Sequence, residues 1–280
     1  MTESKEHERR LPAPLLEFDP DPLAMIEPSS HYGGTAAVQV DMPHVVVACF
    51  FGDAVARLAA ERQARQVAEL ATEHGHHPVW ALRHAGHEIG FYQPGLGAPL
   101  AAALLEEVID YGATTVVAVG GCGALEPGLA LGHVVVVAEA LRDEGTSYHY
   151  LAPARTVMAE PAVVAELEAL LCERDLPFST GRSWTTDGLY RETRKKVADR
   201  RREGCLVVEM EAAALLAVAR FRGIRLGQLL YAGDTLAGDE WDHRGWMHAH
   251  DVREEMFWLA ADAAVRLARS APGELPAQPG

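Results

Sequence analysis

The strongest constraint in this chain is an alternation. Short Val-rich runs, VVVACFF (45–51), EIGFYQP (88–94), TTVVAVG (114–120), HVVVVAEAL (133–141), CLVVEM (205–210) and RLGQLLYAG (225–233), alternate with helical spacing at 53–74, 98–111, 160–174, 192–203, 210–221 and 247–269. Consecutive apolar positions mark strands buried on both faces, and strands alternating with helices build a parallel or mixed sheet covered on both sides. After CLVVEM, residues Met210, Ala213, Ala214, Ala217, Val218 and Phe221 fall on one helical stripe that faces this sheet. No Pro/Ser-rich linker or internal repeat divides the 280 residues. A single α/β domain is expected over 15–270, with frayed ends at 1–14 and 271–280.

Charge narrows the partners. A formal net charge of -15 argues against nucleic acid and anionic membranes, which are bound by clustered Lys and Arg. The four cysteines lack Cys-x-x-Cys spacing and read as reduced thiols. MTESKEHERRLPAP is not an apolar leader, and no run reaches the ~18 residues of a membrane helix. These features predict a cytoplasmic protein whose partner is a small molecule.

In open α/β sheets ligands bind beyond the carboxyl ends of the strands, and six junctions there carry polar groups. CLVVEMEAAAL puts Glu209 and Glu211 where a strand becomes a helix; acids at that position also simply complement the helix dipole. GLGAP (95–99) and GGCGALEPGLALGH (120–133) bring backbone N–H groups close to a ligand, although neither matches a complete phosphate-loop motif and each reads equally as a turn. RDEGTSYHY (142–150) is a polar strand exit. In TTDGLYRET (185–193), Tyr190 offers a flat face and Arg191 a planar donor fork suited to a heterocyclic base, with Asp187 beside them; a capped helix start looks much the same. YAGDTLAGDEWDHRGW (231–246) places Asp234 after a strand and before a loop with two tryptophans, a setting for a general acid or for an ordinary helix cap. The histidines of HGHH and WDHRGWMHAH lack a carboxylate at ligand spacing, so no metal site is expected.

The order of these junctions resembles the nucleoside phosphorylase family that contains uridine phosphorylase and the hexameric bacterial purine nucleoside phosphorylases. The resemblance spans about 45–265 and rests chiefly on Glu-Met-Glu at a strand end and a glycine-rich turn followed by Gly-x-Ser-x-His. It implies a single-domain α/β/α sandwich around a mixed, partly barrel-like sheet, assembled as dimers or hexamers, and no organic cofactor. It implies that Glu211 accepts hydrogen bonds from ribose hydroxyls, with Met210 as the apolar floor, Glu209 beside them and His31 lent by a neighbouring subunit. Tyr190, Arg191 and Asp187 would border the base, and Asp234 would protonate N7 of a departing purine. The phosphate site departs from the pattern. Ala118 and Gly121 stand where an arginine and a threonine are expected, and Arg57 comes one residue late, a rotation of about 100° on a helix. Gly52, Arg57, Gly120, Gly121, Cys122, Gly123 and Arg142 remain to hold an anion, or else a water with Asp53 as base.

The sequence thus predicts cleavage of the N-glycosidic bond of a purine-type nucleoside, with phosphate as co-substrate. Hydrolysis is the alternative, and a non-catalytic nucleoside-binding or storage protein is the alternative from another class.

Overall fold

The computed structural model describes residues 13–28, 40–246 and 250–270. In chain order the strands are β1 (Val45–Cys49), β2 (Arg65–Thr72), β3 (Gly75–His84), β4 (His87–Tyr92), β5 (Thr115–Ala124), β6 (Val134–Asp143), β7 (Thr156–Met158), β8 (Phe178–Thr186), β9 (Cys205–Glu209) and β10 (Arg225–Thr235). The α-helices are α1 (Gly52–Glu61), α2 (Ala98–Asp110), α3 (Pro161–Glu173), α4 (Arg194–Arg202), α5 (Ala212–Arg222) and α6 (His250–Arg269).

All ten strands join one mixed sheet. β5 runs parallel to β1 and β10 and antiparallel to β9, while β10 also pairs antiparallel with β6. Because β6 pairs with β8 and β8 with β9, the strands β5–β10–β6–β8–β9 close into a five-membered ring. The expected partly barrel-like sheet is this ring, and β1, β4, β3 and β2 extend from it as an open arm. β1 is buried at every position, as is most of β5, because helices cover both faces. α2 and α5 pack in one apolar layer, and α1, α3 and α6 in the other.

The expected helix over 53–74 is a correction. α1 ends at Glu61 and residues 65–72 form β2, hairpinned to β3 through a turn with Gly75 at φ 117°. RQVAELAT is rich in helix formers, but as an outer strand of the arm it buries chiefly Leu70 and takes its conformation from pairing with β3. The HGHH histidines lie in this hairpin, where His76 pairs with Glu69 at 2.8 Å and His77 with Thr72 at 3.3 Å. His31, and the predicted frayed ends except residues 13 and 14, lie outside the described residues.

Candidate active site

The carboxyl ends of β5, β9 and β10 meet the turn into α1 around a cavity of about 420 Å³. Residues Gly120 to Gly123 of β5 line it. Along them the neighbours change: the Phe50 ring packs on Gly120, and the Asp234 carboxylate lies by Gly123. A Cβ on Gly123 would stand 2.7 Å from Leu236 Cδ1 and 3.0 Å from Val208 Cγ1, so any side chain here would have to displace both.

The two glutamates at the end of β9 have different tasks. Glu209 is satisfied on both oxygens. Oε1 accepts from Ser183 Oγ (2.7 Å) and Thr185 Oγ1 (2.6 Å), and Oε2 from the N–H groups of Glu211 (2.7 Å) and Ala212 (2.6 Å). It therefore caps the start of α5, the helix-terminal role that acids commonly take. Glu211 makes no cap bond. Its Oε1 accepts one hydrogen bond, from the Gly97 N–H at 2.5 Å, and the carboxyl borders the cavity with Met210. Gly97 sits at φ 88°, a conformation that favours glycine and turns its N–H toward Glu211.

Burial, and then repulsion from Glu209, push the Glu211 pKa up to about 8. The folded protein therefore holds this proton more tightly than the unfolded chain, whose carboxyl titrates near 4.5. That contribution to stability is complete below pH 4.5 and is lost as pH rises through 8. Glu211→Gln should melt close to the wild type at pH 4.5 and several degrees above it at pH 8.5, a gain of order 1–3 kcal/mol. Thermal melts across this range check it; a gap that does not widen with pH would show that Glu211 is not a buried acid.

Asp234 lies in the bulge between Ala232 and Thr235 in the β10–β5 pairing. Its Oδ2 accepts from Trp241 Nε1 at 2.6 Å, so one of the two loop tryptophans fixes the carboxylate. Glu192, not anticipated from the sequence, lines the same cavity. Burial, followed by the charge of Asp234, raises its pKa to about 7 against the pull of Lys196.

The base-side residues shift by one position. Residues Leu189–Arg191 form a 3-10 turn, and side chains three apart eclipse in that geometry. Leu189 and Glu192 therefore line the cavity, while Tyr190, 93 % exposed, and Arg191 do not. Asp187 is also outside; it accepts from the Gly145 N–H at 2.9 Å and ties down the 142–150 loop. Arg142 is the other fastener of that loop, donating to Ser147 Oγ (2.8 Å) and to the carbonyls of Leu151 and Ala152 (3.1 and 2.8 Å), and it does not reach the cavity. Arg57 is turned away on α1 to pair with Glu254 at 3.0 Å, consistent with its one-residue displacement.

The acceptor side differs most from expectation. Ala118 is fully buried in the core. Beside it in register on β10 is Gln228, 1 % exposed and facing the cavity, with no hydrogen-bond partner for its Oε1 among the described residues. Asp53, expected as a base, is engaged on both oxygens, by Arg253 Nη1 (2.9 Å) and His250 Nδ1 (3.0 Å). Burial raises its pKa, but these two partners overcome that and hold it below the ordinary value. A carboxylate stabilised in this way is a poor base, and its geometry is that of a positioner for Arg253. Arg253 itself carries no motif. It reaches the cavity from α6 between the rings of Phe51 and Trp246, 5.6 and 5.4 Å from their centres.

The fold is that of an α/β enzyme, and the family and relatives it matches are phosphorylases, which are pentosyltransferases. The chain belongs to the phosphorylase superfamily, whose family profile matches residues 44–270. It is 29% identical over 173 residues to a guanosine phosphorylase of Halorubrum lacusprofundi, covering 61% of this chain and 72% of that one. Among solved structures it resembles uridine phosphorylase from Vibrio fischeri (TM-score 0.69, 24% identity, 83% and 94% of the two chains). It likewise resembles AMP nucleosidase from Bacteroides thetaiotaomicron (TM-score 0.67, 21% identity, 82% and 90%). At these identities the two structures speak for the fold alone.

Proposed function

We propose that this enzyme cleaves the N-glycosidic bond of a purine-type nucleoside and transfers the pentosyl group to phosphate. The observation that carries the proposal is one cavity bordered both by Glu211, a buried carboxyl whose Oε1 accepts from the Gly97 N–H, and by the acid pair Asp234 and Glu192. Breaking the bond builds positive charge on the sugar and negative charge on the base. A fixed carboxylate beside the sugar stabilises the first. Ribose hydroxyls donating to Glu211 favour its ionised form, so substrate itself would draw down the raised pKa. On the base side Asp234 and Glu192 sit together, with the Glu192 pKa raised to about 7 by burial and by the charge of Asp234, so the pair can hold a proton to give to a purine edge. A protein that only bound nucleosides would not require such a pair.

Exposed Leu96, Leu189 and Tyr190, at 71, 48 and 93 %, lie in and beside the cavity rim and form the apolar surface that a second copy would cover in a homo-oligomer. The four free cysteines suit a cytoplasmic setting. Hydrolysis is a second reading, supported by the neutral Gln228 beside Ala118.

The test is a nucleoside panel incubated with and without phosphate, with free base, pentose and pentose 1-phosphate separated by chromatography. Purine nucleosides should give pentose 1-phosphate with a phosphate KM in the millimolar range, because Ala118 and Gly121 supply none of the charge-assisted bonds that hold phosphate tightly. Free pentose at a rate independent of phosphate would establish hydrolysis. Saturation at low micromolar phosphate would show that the anion site is complete.

A further inference from the structure

We infer that Arg253, presented by the last helix, is the phosphate-holding cation of this enzyme, and that Asp53 and His250 position it. The inference rests on the phosphorolytic reading above and supplies the acceptor site which that reading leaves without an arginine.

Three observations converge. First, the Arg253 guanidinium is the cation among the described residues lining the cavity, and its side chain is only 12 % exposed. It is held in place by Asp53 through Nη1, flanked by Phe51 and Trp246, and has Tyr231 against it. Its Nε is buried with no hydrogen-bond partner among the described residues. A buried guanidinium N–H left unpaired is costly unless a ligand completes it.

Second, α1 begins at Gly52 on the wall of the same cavity, with no hydrogen bond from a capping side chain at Phe51, so the positive end of the helix lies beside the guanidinium. Third, the amide of Gln228 faces this cavity and its Oε1 is unpartnered, a polar group nine-tenths buried that would bond a protonated phosphate oxygen. A helix start, a guanidinium and an acceptor for the one O–H of hydrogen phosphate together match a tetrahedral oxyanion.

In the transfer a phosphate oxygen forms a bond to C1′ as the C1′–N bond breaks. The bonding pair leaves with the base, which takes a proton from the Asp234–Glu192 side. The proton carried by phosphate restores that acid through solvent, and the products are free base and pentose 1-phosphate. Asp53 partly neutralises Arg253, which accounts for the weak phosphate affinity expected above.

The experiment compares wild type with Arg253→Met, which keeps the packing stem, and Arg253→Lys, which keeps the charge. Two quantities are measured: the KM for phosphate and for nucleoside in one assay, and equilibrium binding of inorganic phosphate by calorimetry, with sulfate as ionic control. Arg253→Met should raise the phosphate KM and Kd about 10- to 100-fold while the nucleoside KM stays within about threefold, and Arg253→Lys should recover part of the loss. A phosphate Kd unchanged in Arg253→Met overturns the inference, as does an equal rise in both KM values, which would indicate a structural role. Phosphate-independent cleavage by a wild type that binds no phosphate also overturns it while leaving glycosidic cleavage standing. Arg253-dependent phosphate binding without cleavage of any nucleoside would instead overturn the function and retain the anion site.

Discussion

Asp234→Asn is expected to slow cleavage of inosine or guanosine by roughly 10²- to 10⁴-fold in kcat, the usual contribution of a positioned general acid. A departing purine anion is stabilised by protonation at N7. Asparagine still donates a hydrogen bond there but gives up no proton. Trp241 Nε1, 2.6 Å from Asp234 Oδ2, can bond the amide oxygen equally well, so the side chain keeps its place and the loss is chemical. A 7-methylated purine nucleoside already carries the positive charge that protonation supplies, and its cleavage should be almost unaffected. Steady-state rates of the two substrates on wild type and variant decide the point. Equal slowing of both would make Asp234 a structural or sugar-side residue.

Glu211→Ala should remove most turnover on ordinary and 7-methylated substrates alike, because the sugar chemistry is common to both. The loss of one charge-assisted bond corresponds to ~1.5–3 kcal/mol, about 10- to 150-fold, before any effect on the developing sugar cation. With its pKa raised to about 8 in the free enzyme by burial and by Glu209, kcat/KM should climb with pH toward that value, and this limb should be absent from Glu211→Gln. Turnover within threefold of wild type for Glu211→Ala would remove the residue from the site. Glu209→Ala is not an equivalent experiment. Four donors converge on Glu209, and its removal leaves them unsatisfied at the start of α5.

The legible parts of this molecule were those written in consecutive residues. Val45–Cys49 and Val134–Val137 read as strands because burial on both faces leaves an unbroken apolar run. β8 carries no strand signal because FSTGRSWTT is polar, although Ser183 and Thr185 are buried to bond Glu209. The strand-end position of Glu211 and Asp234 was visible for the same local reason. The sequence points to Tyr190 and Arg191 and not to Glu192 because nothing in it announces a 3-10 turn, which decides the side that each residue faces. Arg253 and Gln228 carry no local signal at all. α6 brings Arg253 to Asp53, and β10 brings Gln228 beside Ala118, each from more than a hundred residues away, so only the folded chain makes them neighbours.

The closure of the sheet bears on how the family diversifies. Each strand of the ring β5–β10–β6–β8–β9 is paired along both edges, so inserting, deleting or sliding one would break ladders on two sides. Departures from expectation on the ring itself, Ala118 and Gly121 on β5 and Gln228 on β10, change side chains without changing the pairing, and the others, the 189–192 turn and the start of α6, lie on segments outside the ring, where changes are absorbed cheaply. Chemistry can therefore be exchanged at the rim while the frame is inherited whole. This fits a fold shared by proteins described as guanosine phosphorylase, uridine phosphorylase and AMP nucleosidase, and an arginine moved from strand to terminal helix is the kind of drift such a frame permits.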